Sequence, residues 1–96
     1  MPRPTSSLID LNDAEALALQ ALTFLLSDTQ RLSRFLSLTG IGPADIRAAA
    51  ATSGLQASTL EYLLSDESLL LMFCQGAGID PMIIAPAHDT LTKHGQ

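Results

Sequence analysis

The chain has 96 residues, of which 47% are hydrophobic and 16% charged, which is enough for one small domain with a single core and the reverse of a disordered composition. Leu and Ala supply the apolar content, with no Trp, one Tyr and three Phe, a balance that favours helix over sheet. A net charge of −5 repels polyanions, so nucleic acid and anionic membrane surfaces are disfavoured partners, and no apolar run is long enough for a membrane span or a signal peptide.

The charge is unevenly placed. Up to Thr52, four arginines oppose five carboxylates; beyond it, Lys93 alone opposes Glu61, Asp66, Glu67, Asp80 and Asp89. The single cysteine, Cys74, excludes an intramolecular disulfide and a cysteine-built zinc site and fits a reducing compartment, so a cytoplasmic protein is expected. The stretch 1–9 carries no pattern and reads as a flexible N-terminal tail.

Asn12 or Asp10 can cap a first helix whose apolar positions Ala14, Leu17, Ala18, Ala21, Leu22 and Leu25 recur at three- and four-residue steps, ending near Leu26. Ser27 with Gln30 reads as a capping box for a second helix, on which Leu32, Phe35, Leu36 and Thr39 form the buried stripe and Arg31, Ser33, Arg34 and Ser37 the polar side. Gly40 supplies the left-handed residue that ends it, Ile41 packs back, and Pro43 opens a third helix over roughly 44–51. Ser53 with Gln56 reads as another capping box, for a fourth helix reaching Leu64.

From there the chain repeats itself. Setting Leu22–Ala49 against Leu60–Ala87, a shift of 38 residues, pairs identical residues at the cap, turn and core positions that define a helical hairpin. Leu25/Leu63, Asp28/Asp66, Phe35/Phe73, Gly40/Gly78, Pro43/Pro81 and Ile46/Ile84 are among them, and Phe24 faces Tyr62. Repeat one covers about 14–52 and repeat two about 53–87. In the second, Ser65 is expected to cap a fifth helix from Asp66 to about Gln75, Gly78 to end it, and Asp80 with Pro81 to start a sixth. Pro86 falls where repeat one has Ala48, which predicts a stop or kink at Ala85. The domain then spans 10–91, with 92–96 a second flexible tail.

No catalytic constellation emerges. Cys74 takes the place of Leu36 and reads as a small buried hydrophobe without a neighbouring cation to lower its pKa. His88 and His94 read as solvated tail residues rather than metal ligands. Asp28 and Asp66 complement helix dipoles. Neither a cofactor, a metal nor a small-molecule substrate is indicated. The segment Thr39-Gly40-Ile41-Gly42-Pro43 resembles the phosphate-binding hairpin of helix-hairpin-helix DNA-binding domains, but its counterpart Gly78-Ile79-Asp80-Pro81 sets a carboxylate where the phosphate would lie, and the following helix is poor in cations.

The two copies differ in one consistent way. Arg31 becomes Leu69, Ser33 becomes Leu71, Arg34 becomes Met72, Ala44 becomes Met82 and Asp45 becomes Ile83, so the fifth helix is apolar around its circumference. Either that helix is central to the core, or Leu69, Met72, Met82 and Ile83 are exposed and form an interface for a protein partner or a second copy.

The blocks Ala21–Asp28, Arg34–Leu36, Thr39–Ala50 and Leu60–Leu64 resemble DUF3572, a small bacterial family of unknown function, over about 12–85. The resemblance rests on caps and core positions. It implies a cytosolic bacterial protein with no established activity and transfers no catalytic residue. The expected fold is all-α: a single small orthogonal, irregular bundle of five to six short helices with an internal pseudo-twofold repeat. The expected role is a non-enzymatic interaction module or homo-oligomer, with a nucleic-acid-binding hairpin domain as the alternative.

Overall fold

The computed structural model describes residues 9–94. These form six α-helices: α1 (Leu11–Leu26), α2 (Thr29–Thr39), α3 (Ile46–Ala49), α4 (Ser53–Leu64), α5 (Glu67–Ala77) and α6 (Ile84–His94). Single 3-10 turns, Pro43–Asp45 and Pro81–Ile83, lead into α3 and α6. Among the described residues there is no strand, as composition predicts.

α1 forms where its three- and four-residue spacing places it, and all six stripe residues from Ala14 to Leu25 are buried. Asp10 is its cap, accepting from the Asp13 amide at 2.8 Å. The stripe packs on α4 and α6, and its three alanines leave room for both. Leu25, Phe35, Leu60, Leu63, Ile84 and Leu91 are fully enclosed. The molecule is a slab of 46 × 29 × 17 Å. With helix axes about 8–10 Å apart, its thin dimension holds about two layers.

The junctions depart from the expected caps. Ser27 and Ser65 keep helical backbone angles, and their hydroxyls turn back to donate to the carbonyls of Phe24 and Tyr62, each at 2.7 Å. The following aspartates take the extended conformation and cap the next helix: Asp28 accepts from the Gln30 and Arg31 amides, Asp66 from Leu69. Each Ser-Asp pair therefore divides its work, the hydroxyl satisfying the outgoing carbonyl and the carboxylate the incoming amides and the positive dipole end. Thr52, rather than Ser53, caps α4. Gln56 does not close a capping box; its buried amide donates to the Ala50 carbonyl at 3.1 Å and leaves Oε1 without a partner.

Gly40 (φ 76°) and Gly78 (φ 71°) end α2 and α5 in the left-handed region, which costs glycine least. After Gly78, the Ile79 amide reaches back to the Cys74 carbonyl at 2.9 Å; after Gly40, Ile41 instead donates weakly to the Thr39 hydroxyl at 3.4 Å. α3 is shorter than predicted because the extended cap Thr52 follows so closely.

No stop occurs at Ala85. α6 begins only at Ile84, so Pro86 sits in its first turn, where no intrahelical amide donor is required. The helix continues through His94 with Leu91 fully buried, so Thr92, Lys93 and His94 are helical rather than tail; 95 and 96 lie outside the described residues. At the other end, 1–8 also lie outside them, while Ile9 packs on the core and accepts from the Thr90 hydroxyl at 2.8 Å.

The element order of the second half follows that of the first, though the helices differ in length: sixteen residues for α1 against twelve for α4, four for α3 against eleven for α6. Two aromatic pairs cross between the halves. Phe24 of α1 meets Phe73 of α5, and Tyr62 of α4 meets Phe35 of α2, both with ring centroids 5.4 Å apart.

Chemical denaturation tests these junctions. Asp28→Ala is expected to cost about 1 kcal/mol through loss of the cap. Pro86→Ala should change stability by less than about 1 kcal/mol, whereas a proline in a helix interior would release about 3 kcal/mol on replacement.

Candidate protein contact surface

Only one side of α5 faces inward. Leu69, Phe73 and Cys74 are buried and Leu70 half-buried, while Leu71 is 46% and Met72 49% exposed. The inward positions follow the 3.6-residue period, so the apolar run Leu69–Cys74 ends half in core and half in solvent. The enclosed helix is α4, which packs against α1, α5 and α6.

This divides the four predicted interface residues. Leu69 is a core residue at 8% exposure, and Ile83 is half-buried against the core. Met72 and, at 80%, Met82 face solvent. The expected patch of four is corrected to these two methionines, together with Leu71.

Met72 forms the lip of a groove between α1 and α5 with a volume of about 550 Å³. Phe24 and Phe73 floor it, Gln20, Thr23 and Ser27 line the α1 side, and Gly76 and Ala77 the α5 side. No lining residue is ionisable. Arg31 reaches over from α2. Its guanidinium carbon lies 4.6 Å from the Phe24 ring centroid and its Nη2 donates to the Met72 sulfur at 3.0 Å, a cation held by a π face and a polarizable sulfur. Among the described residues no carboxylate lies within ion-pair distance of Arg31.

A second cleft, of about 600 Å³, lies between α2 and α4, with Leu38 and Thr39 on one wall and Ser58, Glu61 and Tyr62 on the other. His88, expected in a tail, stands on α6 with its Nε2 4.0 Å from Glu61 Oε1 and its Nδ1 4.0 Å from Asp89. Among the described residues no three His, Cys, Asp or Glu side chains converge to hold a metal ion.

Cys74 is buried, in the place its hydrophobic reading assigned. Burial pushes its thiol pKa up, and the Asp80 carboxylate adds to the rise. In the hairpin turns the amide after each left-handed glycine is spent within the chain, and Asp80 accepts from the Met82 amide at 2.9 Å. No single described helix is long and apolar enough to cross a membrane; α5 and the segment 81–93 meet that test only as a pair bent by 114°.

Sequence reasoning found Met72 and missed Phe24, Arg31 and Gly76. Arg31 was assigned to the polar side of its own helix, and Phe24 was placed only as the repeat counterpart of Tyr62. Their meeting depends on α2 folding back across α1, and no periodicity within one helix encodes that.

Fold and surface together define a small all-α domain whose exposed apolar residues include Leu71 and Met72 on α5 and Met82 in the turn after it, with Leu38 on α2 and Leu19 and Leu26 on α1 also facing solvent. The chain belongs to the family described as protein of unknown function (DUF3572), whose model matches residues 11–94. No curated protein and no solved structure matches it significantly.

Two substitutions three residues apart separate core from surface. Leu69→Glu buries a charge and should cost about 3 kcal/mol or more, whereas Met72→Glu should keep a cooperative melt within about 1 kcal/mol of the parent. Thiol labelling at pH 8 should be slow in the native protein and fast once it is denatured, because Cys74 is enclosed and its folded pKa is raised. By the same linkage, the neutral thiol's contribution to stability is fully present below the unfolded value near 9.0 and is lost as pH rises beyond it.

Proposed function

We propose that the chain is a non-enzymatic protein-interaction module of the cytoplasm, and that the α1/α5 groove is where it meets its partner. The observation that carries this reading is an uncharged aromatic floor with an adaptable, half-exposed methionine at its lip, Phe24 and Phe73 beneath Met72. Exposed Leu71 and Met82 extend the apolar character beyond the groove. Such adaptable apolar surface is typical of helix-binding proteins. The absence of ionisable side chains in the groove supports binding over acid-base chemistry. The recurrence at 38 residues supports an origin by duplication of one helical hairpin unit, after which the second copy lost its polar face.

The competing reading is a nucleic-acid-binding hairpin domain, favoured by the Gly-Ile-Gly turn. Against it stand the net charge of −5, the carboxylate of Asp80 and the use of the Ile41 and Ile79 amides within the chain. Binding of labelled duplex at low salt that collapses steeply on adding salt would favour this rival.

A photo-reactive residue at position 72, introduced into the full chain in its native cells, tests the contact directly. A discrete cross-linked adduct is expected from position 72 and none from the exposed position 89. No adduct at position 72 would overturn the reading.

A further inference from the structure

The α1/α5 groove has an internal counterpart that shows what the fold itself requires. The α2/α4 cleft is lined from positions 38 residues away: Thr23 answers to Glu61, Phe24 to Tyr62, and Gly76 to Leu38. Both rings of one crossed aromatic pair, Phe24 and Phe73, floor the α1/α5 groove, and Tyr62 of the other pair lines the α2/α4 cleft, each pair with a 5.4 Å centroid separation. In the α2/α4 cleft that framework carries a carboxylate and a phenol, and the position equivalent to Met72 is the exposed Arg34. The same geometry therefore folds with ionisable groups in its lining, so folding does not account for the uncharged lining of the α1/α5 groove.

Gly76 gives an independent indication. Glycine costs stability in a helix, and a Cβ at this position would meet nothing within 4 Å. Its counterpart Leu38 is 69% exposed, so a large side chain is tolerated there. No contact within the chain needs the missing side chain; an approaching backbone would.

Arg31 supplies the third element. The chain has ten carboxylates and five cations, yet this guanidinium is fixed on Phe24 and Met72 with no carboxylate within ion-pair distance among the described residues. Its stem is already immobilised, so an incoming carboxylate would order little more of it.

We infer that the groove seats an amphipathic helix of a partner protein that carries a carboxylate beside its apolar stripe. The stripe covers Phe24 and Met72, the helix backbone comes closest at Gly76, and the carboxylate pairs with Arg31. A strand or polyproline segment fits less well, since the described residues offer neither a sheet edge nor a row of exposed aromatics. A second copy is the alternative occupant, and it would give a position-72 adduct of twice the chain mass. This inference rests on reading the groove as a contact surface.

Selection of a displayed library of amphipathic helices with a randomised polar face, on the full chain, tests it. Enriched peptides should carry Asp or Glu next to the apolar anchors and should shift the 13C-methyl resonance of Met72. Arg31→Ala should weaken them about tenfold, the loss of one charge-assisted pair, and Arg31→Glu should regain binding when the peptide carboxylate is changed to Lys. Gly76→Ala should raise the melting temperature by a few degrees while weakening the same peptides about tenfold by filling the approach. The inference is overturned by enriched peptides indifferent to Arg31→Glu, by enrichment that leaves Met72 unshifted, by no enrichment, or by a position-72 adduct of twice the chain mass. If a position-72 adduct still forms in cells, the groove remains a contact surface and only the acidic helix is lost.

Discussion

Burial of α4 sets the terms for the rest of the molecule. Leu55, Gln56, Thr59, Leu60, Tyr62 and Leu63 leave it with little outward face, so it holds its place only while α1, α5 and α6 surround it. A chain of this length can enclose about one helix; each screening helix must then face water on its far side. In a slab 17 Å thick, that applies directly to α5. Its inner positions Leu69, Phe73 and Cys74 complete the enclosure of the core, and Leu71 and Met72 are the outward remainder of the same apolar run.

The crossed aromatic pairs carry the packing from one half of the chain to the other. Phe24 on Phe73 and Tyr62 on Phe35 tie the first helix of each half to the second helix of the opposite half, with edge and tilted geometries suited to the ring quadrupoles. That exchange brings Arg31 of α2 over Phe24 and within reach of Met72. Three helices thus contribute to one rim, α1 and α5 through the groove walls and α2 through the cation. The groove follows from the exchange of partners between the halves and would not exist on either half alone.

What the sequence made legible and what it did not divide along physical lines. Properties set by neighbours three or four residues apart came through: the α1 stripe, the left-handed glycines at 40 and 78, the proline-led turns and the all-helical class. The junctions were located correctly, but their chemistry was misassigned. Ser27 and Asp28 are both competent caps, and the choice turned on whether the serine hydroxyl was already donating to the helix behind it. Pro86 was misread because the start of α6 was set too early by the 3-10 turn before it. Leu69 and Met72 are both apolar on the same helix, and only the direction from which α4 approaches separates them. His88 was placed in a tail because the pattern of α6, with Ile84, Ala87 and Leu91 as its buried positions, is carried by few large residues. The Arg31–Phe24–Met72 contact is tertiary throughout.

Charge constrains how such a surface could recognise a partner. A chain of net charge −5 slows the approach of an acidic segment at long range, but the Debye length at physiological ionic strength is only about 8 Å, so this repulsion fades outside close contact. Within contact distance the local environment decides, and there the groove presents an uncharged lining with one fixed guanidinium at its edge. Attraction is then confined to a partner that already fits the apolar floor, while acidic surfaces without the matching stripe meet only the far field. A single fixed cation at the edge of a groove acts through specificity more than through association rate. Clustered cations would do the reverse, drawing in polyanions of every kind, and the acidic second half of the chain works against that outcome.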